Sequence, residues 1–188
     1  MAVSYAELHI LDWIQTHLQS AGADRFFSAV THLGDGGALW IALAVVLLLI
    51  PRTRQAGLAV ALALVLDLLL CNLCLKPLIG RIRPFALQPV TLLIPPPADY
   101  AFPSGHTAAS FAAVFALLFR RCRLWYWALL PACVIAFSRL YLYVHFPTDI
   151  LGGILAGLVT GFLGAWVAKR MPKRSKLSKF TGQNMNHL

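Results

Sequence analysis

The chain has 188 residues, 59% of them hydrophobic and only 12% charged, and its 16 Lys and Arg against 7 Asp and Glu give a net charge of +9. Soluble domains carry roughly 25% charged residues, so the charge needed to cover a water-facing surface is missing. A free cytosolic enzyme, a disordered chain and a disulfide scaffold are excluded, which leaves a compact integral membrane protein, a single domain over residues 1–188 that the apolar runs below read as all-α.

In chain order, Val3, Ala6, Ile10, Trp13, Ile14, His17 and Leu18 recur at helical spacing, with Glu7, Asp12, Gln15 and Gln19 elsewhere. Residues 1–35 therefore read as an amphipathic segment with a helix lying in the membrane interface. The start lacks basic residues, and no secretory signal is expected. His32 and Asp35 stand just before the first span, where a lipid head group would lie, while His9 and His17 read as surface residues.

A bilayer core takes about 20 apolar residues of helix. Five stretches within 36–168 meet or approach this: Ala38 to Ile50, Gly57 to Leu75, Gly105 to Phe119, Leu124 to Tyr143 and Ile150 to Ala168. The first is short and borrows from the Gly36–Gly37 turn and Pro51. Asp67, inside the second, is a functional candidate because acids are costly in hydrocarbon, but no motif claims it and a buried structural role is the simpler expectation. Cys71, Cys74, Cys122 and Cys133 sit in or beside apolar runs and read as small packing residues. In the last span Gly153, Gly157 and Gly161 form a small-residue stripe that suits close helix approach, in the monomer core or in a dimer. Oligomeric state stays open.

Orientation follows from the basic residues. Arg52, Arg54, Arg120, Arg121, Arg123 and the tail 169–188, with Lys169, Arg170, Lys173, Arg174, Lys176 and Lys179, hold eleven of the sixteen and fall on one side of a five-span threading. Positive charge marks the cytoplasmic side. The tail reads as an anchor at anionic lipid, and nothing points to nucleic-acid binding. The connections Lys76 to Ser104 and Val144 to Asp149 then face outward.

Three polar clusters share that outward side. They are Lys76 to Pro84, containing Lys76, Arg81 and Arg83; Pro103-Ser104-Gly105-His106; and Ser138-Arg139 followed by His145-Phe146-Pro147-Thr148-Asp149. Lys76, Arg83 and Arg139 are cations able to neutralise a phosphate group, the arginines through forked contacts. Ser104 suits a helix N-cap, the first-turn N–H groups behind it can bind an anion, and Gly105 permits close approach. A neutral imidazole can attack phosphorus and a protonated one can protonate a leaving oxygen. Asp149, four residues after His145 with Pro147 starting a helix between them, can reach back to one imidazole nitrogen. His145 is thus the candidate nucleophile and His106 the candidate acid.

Lys-x6-Arg-Pro, Pro-Ser-Gly-His and Ser-Arg-x5-His-x3-Asp, in this order over residues 76–149, resemble the three signatures of the type 2 phosphatidic acid phosphatase family. The resemblance implies a helical-bundle core, a phosphohistidine on His145, acid work by His106 and orientation of His145 by Asp149. It also implies a phosphate held by Lys76, Arg83, Ser104, Gly105 and Arg139. The first segment departs from six-span members in being too polar to cross.

A two-metal phosphatase fails by counting: only Asp99 and Asp149 lie near the clusters, and no paired carboxylates exist to hold two cations. No metal or other cofactor is expected. The implied activity is hydrolysis of a lipid phosphate at the outer face, with undecaprenyl pyrophosphate favoured and phosphatidylglycerol phosphate or phosphatidic acid next. A non-catalytic lipid-phosphate binder or flippase is the alternative. The largely apolar stretch Pro84 to Phe102, stiffened by Pro95, Pro96 and Pro97, is a candidate lid.

Overall fold

The computed structural model describes residues 3–171, so the basic tail beyond Met171, with Lys173, Arg174, Lys176 and Lys179, lies outside the described residues. Within them the chain is helical, with no strand. The helices are α1 (Val3–Leu18), α2 (Ala21–His32), α3 (Ala38–Leu49), α4 (Arg54–Asp67), α5 (Lys76–Ile79), α6 (Gly105–Phe119), α7 (Leu124–Tyr141) and α8 (Pro147–Arg170). A π-helical stretch, Leu68–Leu75, carries α4 into α5 without a break.

All five apolar stretches form helices. Three of them, the run beginning at Arg54, α7 and α8, are long and apolar enough to cross a membrane. The apolar α6 is shorter. The 12 residues of α3 rise only about 18 Å, well short of a bilayer core, and here the sequence expectation needs correction. A second N-terminal helix, α2, precedes α3, and the two form one apolar pair bent by 48°. The bend falls at Gly34–Gly37, where Gly36 and Gly37 take φ of +56° and +73°, values that L side chains resist.

The core is held by α8 packed on α6 and α4, with α3 against α4 and α7 against α6. The glycine stripe makes this possible. A Cβ on Gly157 would come within 2.7 Å of the Ala108 carbonyl oxygen and the Ala112 nitrogen, and one on Gly161 within 2.7 Å of the Phe115 Cβ. The stripe therefore serves the monomer core, against α6. Farther along, Gly164 meets Ala59 and Ala63 of α4 in the same way. Large apolar side chains on the outer faces, among them Val45, Leu49, Trp127, Leu130, Leu155 and Phe162, are exposed, as suits contact with lipid.

Helix α1 turns a different face to the protein than its apolar spacing predicts. Leu8, Leu11 and Ile14 pack under Tyr143, Phe146 and Leu142 together with the buried Glu7, whereas Ile10, Trp13 and Leu18 are exposed. An interfacial helix has two apolar demands, protein below and lipid beside it, and periodicity does not separate them.

Candidate active site

The turn between α7 and α8 builds the position of the candidate nucleophile, His145. The backbone N–H groups of Val144 and His145 both donate to the carbonyl of Arg139, at 3.2 and 3.3 Å, folding the chain back over the end of α7. Pro147 starts α8, and Asp149 caps it by accepting the Phe146 N–H on Oδ2 at 2.8 Å. The cap holds the carboxylate beneath His145, with Nδ1 3.4 Å from Asp149 Oδ2, a slack dyad of the kind that tightens when substrate binds.

On the other side of the ring, Arg83 Nη1 lies 3.2 Å from His145 Nε2. A guanidinium can only donate, so Nε2 is the acceptor and the ring proton belongs on Nδ1, facing Asp149. That tautomer leaves Nε2 unprotonated, its lone pair engaged by Arg83 at the wall of a cavity of about 250 Å³ whose lining includes Lys76, Arg83, Gly105, His106, Arg139 and His145. Burial first, and then the charges of Arg83, Arg139, Lys76 and neighbouring His106, hold the His145 imidazole well below its ordinary value of 6.5. The direction of that shift favours the neutral ring that a nucleophile needs.

The structure thus brings to one cavity side chains from α5, the following loop, α6, α7 and the turn before α8. Ser104 is set apart: it is fully buried, and its hydroxyl accepts from the Thr107 N–H and hydroxyl, capping α6 from behind the cavity lining. Gly105 fronts the cavity, and a Cβ there would sit 3.5 Å from Lys76 Nζ. Asp67 is buried and accepts a weak bond from the Cys71 thiol. It lines a separate, mostly apolar cavity of about 500 Å³ between α3 and α4, which shares Lys76, Asp99, Gly105 and His106 with the polar one.

Five further residues escaped the sequence reading or were given no partner in it. Asp99, from the 84–104 loop, bridges Lys76 and Arg83, the latter at 2.5 Å. Burial alone would raise its carboxyl, but Lys76 and then Arg83 bring it down to about 2. Arg81 donates to Asp149 Oδ1 at 2.5 Å and to Glu7 Oε2 at 2.6 Å, and lies over the Phe146 ring. Glu7 in turn accepts from the Thr148 N–H and hydroxyl, tying α1 to the start of α8. Thr31 of α2 accepts from Arg139. Asp35 accepts from His106 Nε2 at 2.9 Å. The local signals were an arginine two residues before Arg83 and an acid inside a Gly-Asp-Gly-Gly turn. Neither names a partner some 70 residues away.

A cationic, imidazole-lined cavity on an apolar helical bundle is what three separated motifs converge on. A model of the PAP2 superfamily matches residues 54–173. The chain belongs to this superfamily. Among curated PAP2 relatives, it is 33% identical over 136 residues to the undecaprenyl-diphosphatase of Sulfolobus acidocaldarius, covering 71% of this chain and 66% of that one. It is 33% identical over 108 residues to the undecaprenyl-diphosphatase BcrC of Bacillus subtilis, covering 57% and 53%. The chain thus spans between half and two thirds of the length of these relatives. A crystal structure of a transmembrane PAP2-type phosphatidylglycerolphosphate phosphatase from Bacillus subtilis superposes with a TM-score of 0.73 at 26% identity, over 92% of this chain and 89% of that one. The membrane-embedded helical bundle is therefore a PAP2 fold.

Proposed function

We propose that this PAP2 chain is a metal-independent phosphatase that removes the terminal phosphate of a membrane lipid through a phosphohistidine on His145. The observation that carries the reading is the unprotonated Nε2 of buried His145 at the wall of a cavity lined by Lys76, Arg83 and Arg139, where a phosphate that draws Arg83 onto its own oxygens frees the Nε2 lone pair to attack. In the first step Nε2 attacks phosphorus, a P–N bond forms, the P–O bond to the lipid breaks, and His106 gives its proton to the departing oxygen. In the second, water attacks phosphorus, a P–O bond forms as the P–N bond to Nε2 breaks, His106 takes the water's proton, and inorganic phosphate leaves. The cations, together with the α6 N-terminus behind Gly105, neutralise the equatorial oxygens in both steps. Asp149 orients His145 and balances the charge that forms on it.

The apolar cavity between α3 and α4 supports a lipid substrate, since it opens onto the same Lys76 and His106 that face the polar one. Among lipid phosphates, undecaprenyl pyrophosphate is favoured by similarity to relatives named for it, with phosphatidylglycerol phosphate and phosphatidic acid next. Placement of the site at the outer face is supported by Arg52, Arg54, Arg120, Arg121, Arg123, Lys169 and Arg170, which sit on the connections and helix end at the opposite side of the threading.

The test is phosphate release by purified protein from a panel of these three lipids, in excess EDTA, with His145→Ala alongside. Release from at least one lipid, lost in the variant, is expected. A panel with no release, or release that survives His145→Ala, overturns the proposal.

A further inference from the structure

The turn Gly34–Gly37 precedes the residues matched to the family and lies outside all three motifs, yet it is built against His106. Asp35 Oδ1 accepts from His106 Nε2 at 2.9 Å, while Oδ2 lies 2.8 Å from Nδ1 of the exposed His32. Both carboxylate oxygens are therefore fixed. Gly34 makes the approach possible, because a Cβ there would sit 2.6 Å from His106 Cδ2. The left-handed Gly36 and Gly37 then turn the chain into α3, and N–H groups of Gly34 and Gly37 close the turn on Thr31 and Gly34 carbonyls at 3.0 Å each.

The electrostatic setting gives this contact a purpose. The charged and titratable groups around His106 are Arg139 of α7, Lys76 of α5, His145 before α8 and Asp35 itself. All but Asp35 are cationic or neutral, and Asp99 is taken up by Lys76 and Arg83. A protonated imidazole in such company needs a carboxylate.

We propose that Asp35 is a positioning residue for His106: it fixes the imidazole through Nε2 and balances the imidazolium, so that the other ring nitrogen holds a proton for the leaving oxygen. The proposal rests on His106 being the acid of the phosphatase reading. Asp35 also reaches the wall of the polar cavity, but the role proposed for it passes through His106 and is therefore confined to leaving groups that need a proton.

The experiment compares Asp35→Asn with wild type on two substrates. Phosphatidic acid in mixed micelles must expel an alkoxide, whereas 4-nitrophenyl phosphate expels a phenolate that departs unaided. kcat/KM reports the P–O cleavage step for both. The Asp35 side chain is 55% exposed, so the fold should tolerate the isosteric change, and the ratio of the two rates is in any case independent of how much protein is folded. General acid catalysis typically contributes about 10²–10⁴. Loss of its positioning carboxylate should lower kcat/KM on phosphatidic acid by roughly tenfold to a hundredfold, and that on the aryl phosphate by less than about threefold. Equal losses on both substrates, or no loss on either, overturn the proposal.

His106→Ala separates this from failure of the underlying mechanism. If it also lowers both rates equally, His106 is not the acid and the proposal falls with it. If it spares the aryl phosphate while Asp35→Asn does not, Asp35 alone is overturned.

Discussion

At the scale of single residues, the site is an arrangement of donors that have one option each. Arg83 can only donate, so it sets the tautomer of His145, and burial among cations keeps that ring neutral. The consequence for pH is definite in sign. A nucleophile whose folded-state pKa lies well below 6.5 loses activity only as pH falls through that lower value. The acidic limb set by His145 should lie below 6.5, and an acidic limb centred at or above 6.5 would contradict the assignment. Asp99 leads to a second expectation. Its carboxylate occupies Lys76 and Arg83, the two cations proposed to hold phosphate, so an incoming phosphate must displace it. Its side chain is 51% exposed, and ion pairs of that kind are worth about 0.2–1 kcal/mol. Asp99→Asn should therefore tighten inhibition by inorganic phosphate by up to about fivefold, measured as Ki, whereas weaker inhibition would make Asp99 an organiser of those cations. The motif residues were legible in the sequence because a charged or imidazole side chain in so apolar a chain stands out. Asp35 and Glu7 were not, because what identifies them is a partner 71 or 74 residues away.

At the scale of elements, two helices carry more than their composition suggests. The glycines of α8 let it lie on α6 close enough that Gly157→Val must displace backbone at 2.7 Å. Overpacking of this kind costs about 1–3 kcal/mol, and a lower midpoint of thermal unfolding in detergent should show it, whereas the same change at the exposed Leu155 should not. Helix α1 is bound to the start of α8, beside His145, through Glu7, whose carboxylate joins Arg81 and Thr148. Breaking a buried ion pair costs about 3–5 kcal/mol. Arg81 keeps Asp149 as a partner and is 20% exposed, so the loss on Glu7→Ala should fall below that range, at about 1–3 kcal/mol. An unchanged unfolding midpoint would show that α1 is not anchored there. The existence of α3, α4, α6, α7 and α8 could be read from apolar runs. The separate helix α2 could not, because its composition is mixed and the bend joining it to α3 depends on the left-handed conformations of Gly36 and Gly37. Nor could the buried face of α1, where Glu7 packs inward and Trp13 outward.

At the scale of the whole molecule, alternating helix directions place the motif ends of α5, α6, α7 and α8 around one cavity, while the arginine-bearing connections lie at the far ends of α4, α6, α7 and α8. An apolar cavity between α3 and α4 leads from the bundle's side to that point. Hydrolysis through a phosphohistidine requires that this convergence deliver His145 to phosphorus. The direct measurement is rapid quench of purified protein into alkali during turnover of a lipid phosphate labelled in its terminal phosphoryl group, followed by peptide mapping. A base-stable, acid-labile phosphoryl group on the peptide containing His145, absent from His145→Ala, is the predicted result. Label on a different residue, or steady hydrolysis by His145→Ala, would contradict it.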